Sequence, residues 1–154
     1  MSTMTQHIRE VDAVGPSEAT LGSLAHDSLK YFGSPESVRH YQPDTLLFEE
    51  GEKTAGVFLL KAGRVKLGVR SRHSGQFLLE VVGAGEMLGL SACVSGKPYE
   101  ITARTITPCE AIFVPREDFL RFLRERPSAC LEMVRVLSAD LDTAYERIRH
   151  LRRR

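Results

Sequence analysis

The residues of this chain best placed to do chemistry lie between Gly83 and Glu110, in the run GAGEMLGLSACVSGKPYEITARTITPCE. A Gly-Ala-Gly turn opens the run, a short segment beginning at Gly89 follows, and a stretch alternating apolar and polar residues closes it. Gly89, Leu90 and Ser91 would start a turn of helix whose free backbone N–H groups face a small anionic ligand. Lys97, Tyr99 and Glu100 stand where the chain leaves that turn and enters the next strand. The chemistry on offer is binding within a cavity.

Catalytic chemistry finds little support. The histidines are His7, His26, His40, His73 and His150, and no two form the His-x-His pair that a cupin-type metal centre on a rolled sheet needs. Neither a Gly-x-Ser-x-Gly elbow nor an HExxH helix is present. The chain is therefore not expected to be an enzyme or to hold a metal. Cys93, Cys109 and Cys130 are odd in number and widely spaced, which suits free thiols in a reducing cytoplasm. Cys93 has two readings: a redox-active thiol with its pKa lowered at a helix start, or a buried inert one. Ser91 likewise either offers its hydroxyl to a ligand or caps the helix.

The elements that must position these residues fall into three spans. Residues 1–16 show no periodicity and read as a mobile arm. Residues 17–126 read as a β-roll with flanking short helices. Leu21, Leu24, Ala25, Leu29 and Phe32 mark an amphipathic helix ended by Gly33 and Pro35. Short strands are predicted at Thr45–Phe48, Val57–Lys61, Arg64–Val69, Phe77–Val82, Glu100–Ile106 and Glu110–Val114, with glycine turns between them. Alternation in the fifth of these places Ile101, Ala103 and Thr105 on one face and Glu100, Thr102 and Arg104 on the other. Even spacing of short strands is the mark of a sandwich or rolled barrel. A short helix carrying Phe119, Leu120 and Leu123 follows Pro115.

Residues 127–154 form a long helix entered at Pro127. Val134, Leu141 and Ile148 recur every seventh residue, and Leu137, Ala144 and Leu151 recur in the same way offset by three. This is an a/d seam of about three heptads, suited to pairing with a second copy. The same stripe would also serve to pack the helix on its own sheet. At about 1.5 Å per residue the helix is nearly 40 Å long, more than docking alone requires, so a homodimer is expected.

Composition is that of an ordinary globular domain, with 42% hydrophobic and 27% charged residues. The net charge of +1 makes no global demand for nucleic acid or membrane, although the tail reads RIRHLRRR. No apolar run approaches the roughly 20 residues that span a bilayer, and the N-terminus lacks the apolar core of a signal peptide. A cytoplasmic location without membrane association is expected.

Gly51 in FEEGE, Gly63 in LKAGRVKL, GEMLGL at Gly85–Leu90 and ITARTITPCEAIFVP at Ile101–Pro115 occur in an order that resembles the effector domain of the Crp/Fnr superfamily of bacterial transcription regulators. The resemblance covers about Tyr41 to Arg152. It implies a mainly β fold with α, a double-stranded β-helix or jelly roll of the cyclic-nucleotide-binding type, followed by a long C-terminal dimerisation helix. It also implies that the Gly83–Glu110 run is a phosphate-binding cassette, and there this chain departs from the family. Where cyclic-AMP-binding members carry a glutamate for the ribose hydroxyl, this chain has Leu90. Where they carry an arginine for the cyclic phosphate and then a small residue, it has Tyr99 and Glu100.

A buried phosphate needs a positive partner, so cyclic AMP and cyclic GMP are not expected to bind in the usual way. Lys97 could substitute for the arginine or could simply be a solvated loop lysine. An iron–sulfur cluster of the fumarate–nitrate regulator type is excluded, since no cysteine precedes Cys93. Haem is not expected either, with only the turn residue His73 offered as an axial ligand. The family continues into a winged helix-turn-helix that reads DNA. This chain stops at Arg154 without a helix stop signal, which suggests a sensory piece of a longer regulator that meets DNA only through that further domain. The alternative is a stand-alone ligand-sensing or protein-interaction module. The basic tail and the Arg64–Lys66–Arg70–Arg72 strand face offer at most sequence-blind phosphate contacts.

Overall fold

A computed structural model describes residues 27–28, 30–71 and 75–152. The expected N-terminal arm, most of the first amphipathic helix and His73 lie outside the described residues. The end of that helix (α1) is described at 27–28 and 30–32, followed by a 3-10 turn at Pro35–Ser37. Eight strands come next: β1 Val38–Tyr41, β2 Leu46–Phe48, β3 Gly56–Ala62, β4 Val65–Ser71, β5 Gly75–Val82, β6 Met87–Leu88, β7 Thr102–Thr105 and β8 Cys109–Pro115. Helix α2 spans Leu90–Ser95, between β6 and β7; α3 is Arg116–Glu125 and α4 is Pro127–Arg152.

The strands form two antiparallel four-stranded sheets, ordered β1-β8-β3-β6 and β2-β7-β4-β5. The jelly-roll expectation holds. Two of its strands escaped the sequence reading. The middle of β1, Arg39 and His40, is exposed, so the alternation that announces a strand is missing there. Strand β6 has only two residues.

Strand β3 shows how one segment serves two cores. Phe58 and Leu60 point between the sheets and meet Phe48, Val65, Leu67 and Ala111. Val57 and Leu59 point the other way, toward Phe119, Phe122, Met133 and Val136 of α3 and α4. With both faces covered, Gly56 to Leu60 are all buried, and the segment reads as a continuous apolar run. Gly56 itself admits no side chain, because a Cβ there would lie 2.1 Å from the Val114 carbonyl oxygen.

Strand β7 is buried at Thr102, Ala103 and Thr105 and half-buried at Arg104. Thr102 and Thr105, which alternation places on opposite faces, are both buried. Each hydroxyl is bonded: Thr102 accepts from the Glu50 N–H at 3.0 Å, and Thr105 accepts from the Thr45 N–H at 2.8 Å while donating to the Gln42 carbonyl. A short polar side chain with a backbone partner can be buried at little cost.

The helices cover the outer face of the first sheet. Pro127 opens α4, as the sequence indicates, with only Arg126 between it and the end of α3. The end of α1 docks on the same corner: Phe32 meets Phe122 at 5.3 Å, and the Tyr31 hydroxyl donates to Glu125 Oε2 at 2.8 Å. No described helix is long and apolar enough to cross a membrane.

Candidate ligand-binding site

The site is built on the turn that joins β5 to β6. The Gly85 N–H donates to the Leu60 carbonyl at 2.8 Å, and the Leu60 N–H donates to the Glu86 carbonyl at 2.9 Å, fixing the turn against β3. From β6 the chain enters α2 through Gly89, whose φ of 87° is left-handed. A Cβ at Gly89 would stand 3.0 Å from the Tyr99 ring and 3.2 Å from the Gly56 carbonyl oxygen. Conformation and space both require glycine there. Gly89 holds the N-cap position without any side-chain cap bond, so the capping role considered for Ser91 is not what the structure shows. The Arg116 Nε–H donates to the Cys93 carbonyl at 2.7 Å, tying α2 to the start of α3.

Tyr99 is the central residue of the cassette. Its side chain is 3% exposed, and its ring stacks on Phe48 with centroids 4.1 Å apart. Its hydroxyl donates to the Gly56 carbonyl at 2.7 Å and accepts from the N–H groups of Gly56 at 3.1 Å and Ala55 at 3.2 Å. Gly56 faces Pro115 at a non-hydrogen-bonded position of the ladder, next to the bond from the Arg116 N–H to the Ala55 carbonyl, so its own N–H and C=O point away from β8 and are met by the phenol. Burial raises the Tyr99 pKa, which keeps the hydroxyl in its donating, neutral form. Backbone bonds clasp the other side of the same loop: Gly51 N–H to the Tyr99 carbonyl at 2.8 Å and Tyr99 N–H to the Glu52 carbonyl at 3.0 Å.

Beside Tyr99 opens a cavity of about 440 Å³, in the range of small-molecule sites. Gly89, Leu90, Ser91, Tyr99 and Glu100 all line it. Leu90 is buried and also belongs to the helix-side core, whereas Ser91 and Glu100 are exposed. Lys97 is not on the lining. It is exposed in the loop, where its carbonyl accepts from the Thr54 hydroxyl at 2.6 Å. Arg104 is also elsewhere, with its guanidinium 3.1 Å from the Asp44 carbonyl and 3.6 Å from its carboxylate.

The sequence reading missed the far wall, which comes from α4: Val136, Leu137, Asp140, Thr143, Ala144 and Arg147. Leu137 and Ala144 read as part of the dimer seam, so no signal sets this wall apart in the sequence. Among the described residues, the charged ones on the lining are Glu80, Glu86, Glu100, Asp140 and Arg147. Asp140 is exposed as a residue, yet crowding of protein around its carboxyl raises its pKa.

This wall divides the expected seam. Leu137 packs against the core of its own domain, and Ala144 lines the cavity. Val134, Leu141, Ile148 and Leu151 are more than half exposed. The exposed apolar companions of Val134, Leu141 and Ile148 are Leu131 and Tyr145, with Ser138 between them in the same row. The free stripe is thus 131-134-138-141-145-148, spaced alternately by three and four.

Cys93 is fully buried in the helix-side core. Desolvation pushes its thiol up to about 11, with Arg116 lowering it only in part, so the inert reading is the correct one. No group of three or more His, Cys, Asp or Glu placed to hold a metal exists among the described residues.

A family model described as "Cyclic nucleotide-binding domain" matches residues 38–126. The "CRP-like cAMP-activated global transcriptional regulator" of Mycobacterium tuberculosis is 28% identical over 95 residues, 62% of this chain and 42% of that protein. The chain therefore spans less than half the length of that relative. Among solved structures, the catabolite activator protein of Thermus thermophilus superposes with a TM-score of 0.71 at 23% identity, covering 89% of this chain and 60% of that one. The sensor domain of the transcriptional regulator DNR from Pseudomonas aeruginosa gives 0.62 at 20% identity, covering 77% and 85%. The chain belongs to the cyclic nucleotide-binding domain family and is homologous to CRP-like transcription regulators.

Proposed function

We propose that this chain is the sensing and dimer-forming part of a CRP-like transcription regulator whose cassette does not read cyclic AMP or cyclic GMP in the usual way. Tyr99 is the observation that carries this reading. At the place where the family's arginine would meet a cyclic phosphate stands a neutral ring, stacked on Phe48 and bonded by its hydroxyl to β3. Its neighbour Glu100 lines the cavity with a charge of the wrong sign. A like charge at about 5 Å costs roughly 1–3 kcal/mol between water-like and protein-like screening, and the lost arginine bond forfeits a similar amount. Lys97, which does not line the cavity, offers no obvious rescue.

The same reading assigns no catalysis and no metal to the domain. A second copy packs along the exposed α4 stripe, and a helix-turn-helix outside this chain supplies DNA recognition in the cytoplasm. A thermal-shift measurement tests the ligand reading. A nucleotide bound at about 1 μM and supplied at about 1 mM would stabilise the fold by roughly 4 kcal/mol. The expected shift with cyclic AMP or cyclic GMP is below about 1 °C, against about 8–16 °C for such binding in a domain of this size.

A further inference from the structure

The charge on the cavity walls identifies a class of ligand. We propose that the cavity takes an amphipathic organic cation, with an apolar body against Leu67, Leu79, Val82 and Ile101 and an ammonium or amidinium group against Glu100 and Asp140. This inference rests on the reading that the cavity is the sensing site. Glu100 and Asp140 come from separate elements, the entry to β7 and the middle of α4, and have no ion-pair partner among the described residues. Two further carboxylates, Glu80 and Glu86, line the same space, and both already engage other groups.

Against these stands Arg147, and among the described residues no other arginine, lysine or histidine lines the cavity. An anionic ligand would meet the carboxylates of Glu100 and Asp140, whereas a cation would pair with them. The pKa of Asp140 is raised by desolvation, the mark of a carboxylate crowded by protein at the cavity wall. Thr143 has its hydroxyl bonded to the Ala139 carbonyl at 3.0 Å, so the α4 wall presents charge rather than a free hydroxyl donor. The remaining lining is largely aliphatic, which suits an apolar body rather than a sugar phosphate.

The test compares charge at constant shape. Tryptamine and 2-phenylethylamine are titrated into the chain by calorimetry beside indole-3-acetate and phenylacetate, with cyclic AMP as a separate arm. Saturable binding of an amine, at least about tenfold tighter than its acid counterpart, is expected. The double substitution E100Q/D140N should weaken the amine about tenfold or more, and R147A should leave it unchanged or tighten it. Far-UV circular dichroism and melting temperature verify that the variants fold. Tighter binding of the acids, or binding of neither amine, overturns the cation proposal while leaving the proposed function standing. Saturable binding of cyclic AMP instead overturns the proposed function itself, whatever the amines do.

Discussion

Removing one oxygen atom should reveal how far the Tyr99 clasp supports the domain. In Tyr99→Phe the ring can stay stacked on Phe48, but three hydrogen bonds disappear: one given to the Gly56 carbonyl and two taken from the Ala55 and Gly56 N–H groups. A typical bond contributes about 1 kcal/mol net, and a buried backbone group left unpaired costs about 1–3 kcal/mol. Gly56 is buried and its N–H and C=O point away from β8, which therefore cannot supply a replacement partner. Ala55 is exposed, and its N–H can recover a water. The expected loss is therefore about 2 kcal/mol, near one full unpaired group. For a domain of this size that corresponds to a melting temperature lower by about 4–8 °C. Urea denaturation should show a lower midpoint at unchanged slope, since the surface exposed on unfolding is the same. A variant melting within about 1 °C of the parent would refute the claim that the hydroxyl fastens the cassette to β3.

Three other outcomes are expected. Replacing Leu141 and Ile148 with glutamate should convert a dimer to a monomer in light scattering, because both lie on the exposed stripe of α4; a dimeric mass in the double variant would refute that assignment. Ellman's reagent should react quickly with one thiol, Cys130, and with all three cysteines only after denaturation, because Cys93 and Cys109 are buried; two fast thiols would contradict the placement of Cys93 or of Cys109. For Asp140, the folded pKa is raised by desolvation, so the group favours folding fully below the unfolded value of about 3.9 and loses that contribution as pH rises through the folded pKa. With Glu80, Glu86, Glu100 and Arg147 sharing its cavity, Asp140→Asn should melt higher than the parent at neutral pH, and the difference should vanish as pH falls toward about 3.9.

Much of this fold is legible in the chain because period, turns and breakers agree. Glycines with left-handed φ, such as Gly51, Gly63 and Gly85, punctuate the strands where the sequence reading set the turns, and Pro127 starts the long helix. Legibility fails where tertiary packing overrides local pattern. Strand β1 pairs with β8 although Arg39 and His40 face solvent, and Thr102 is buried by a bond to a residue 52 positions away. The cassette residues stand out through Gly89 and the run that follows it. The α4 wall does not, because a single helix carries two apolar faces that one heptad count cannot separate. Leu137 and Ala144 fit the heptad as well as Leu131 and Tyr145 do, and only the position of the sheet decides which row turns inward. The hydroxyl role of Tyr99 is invisible for a similar reason, since its partners lie 43 and 44 residues earlier.

The most direct test of the account is calorimetric titration of the chain with cyclic AMP and cyclic GMP at neutral pH and physiological salt. With Tyr99 stacked in place and Glu100 on the lining, no saturable heat is expected for either nucleotide at concentrations up to about 100 μM. A one-to-one isotherm with a dissociation constant near 1 μM, equivalent to about 8 kcal/mol, would mean that the cassette holds a cyclic phosphate without its arginine, and the account of Leu90, Tyr99 and Glu100 would be wrong.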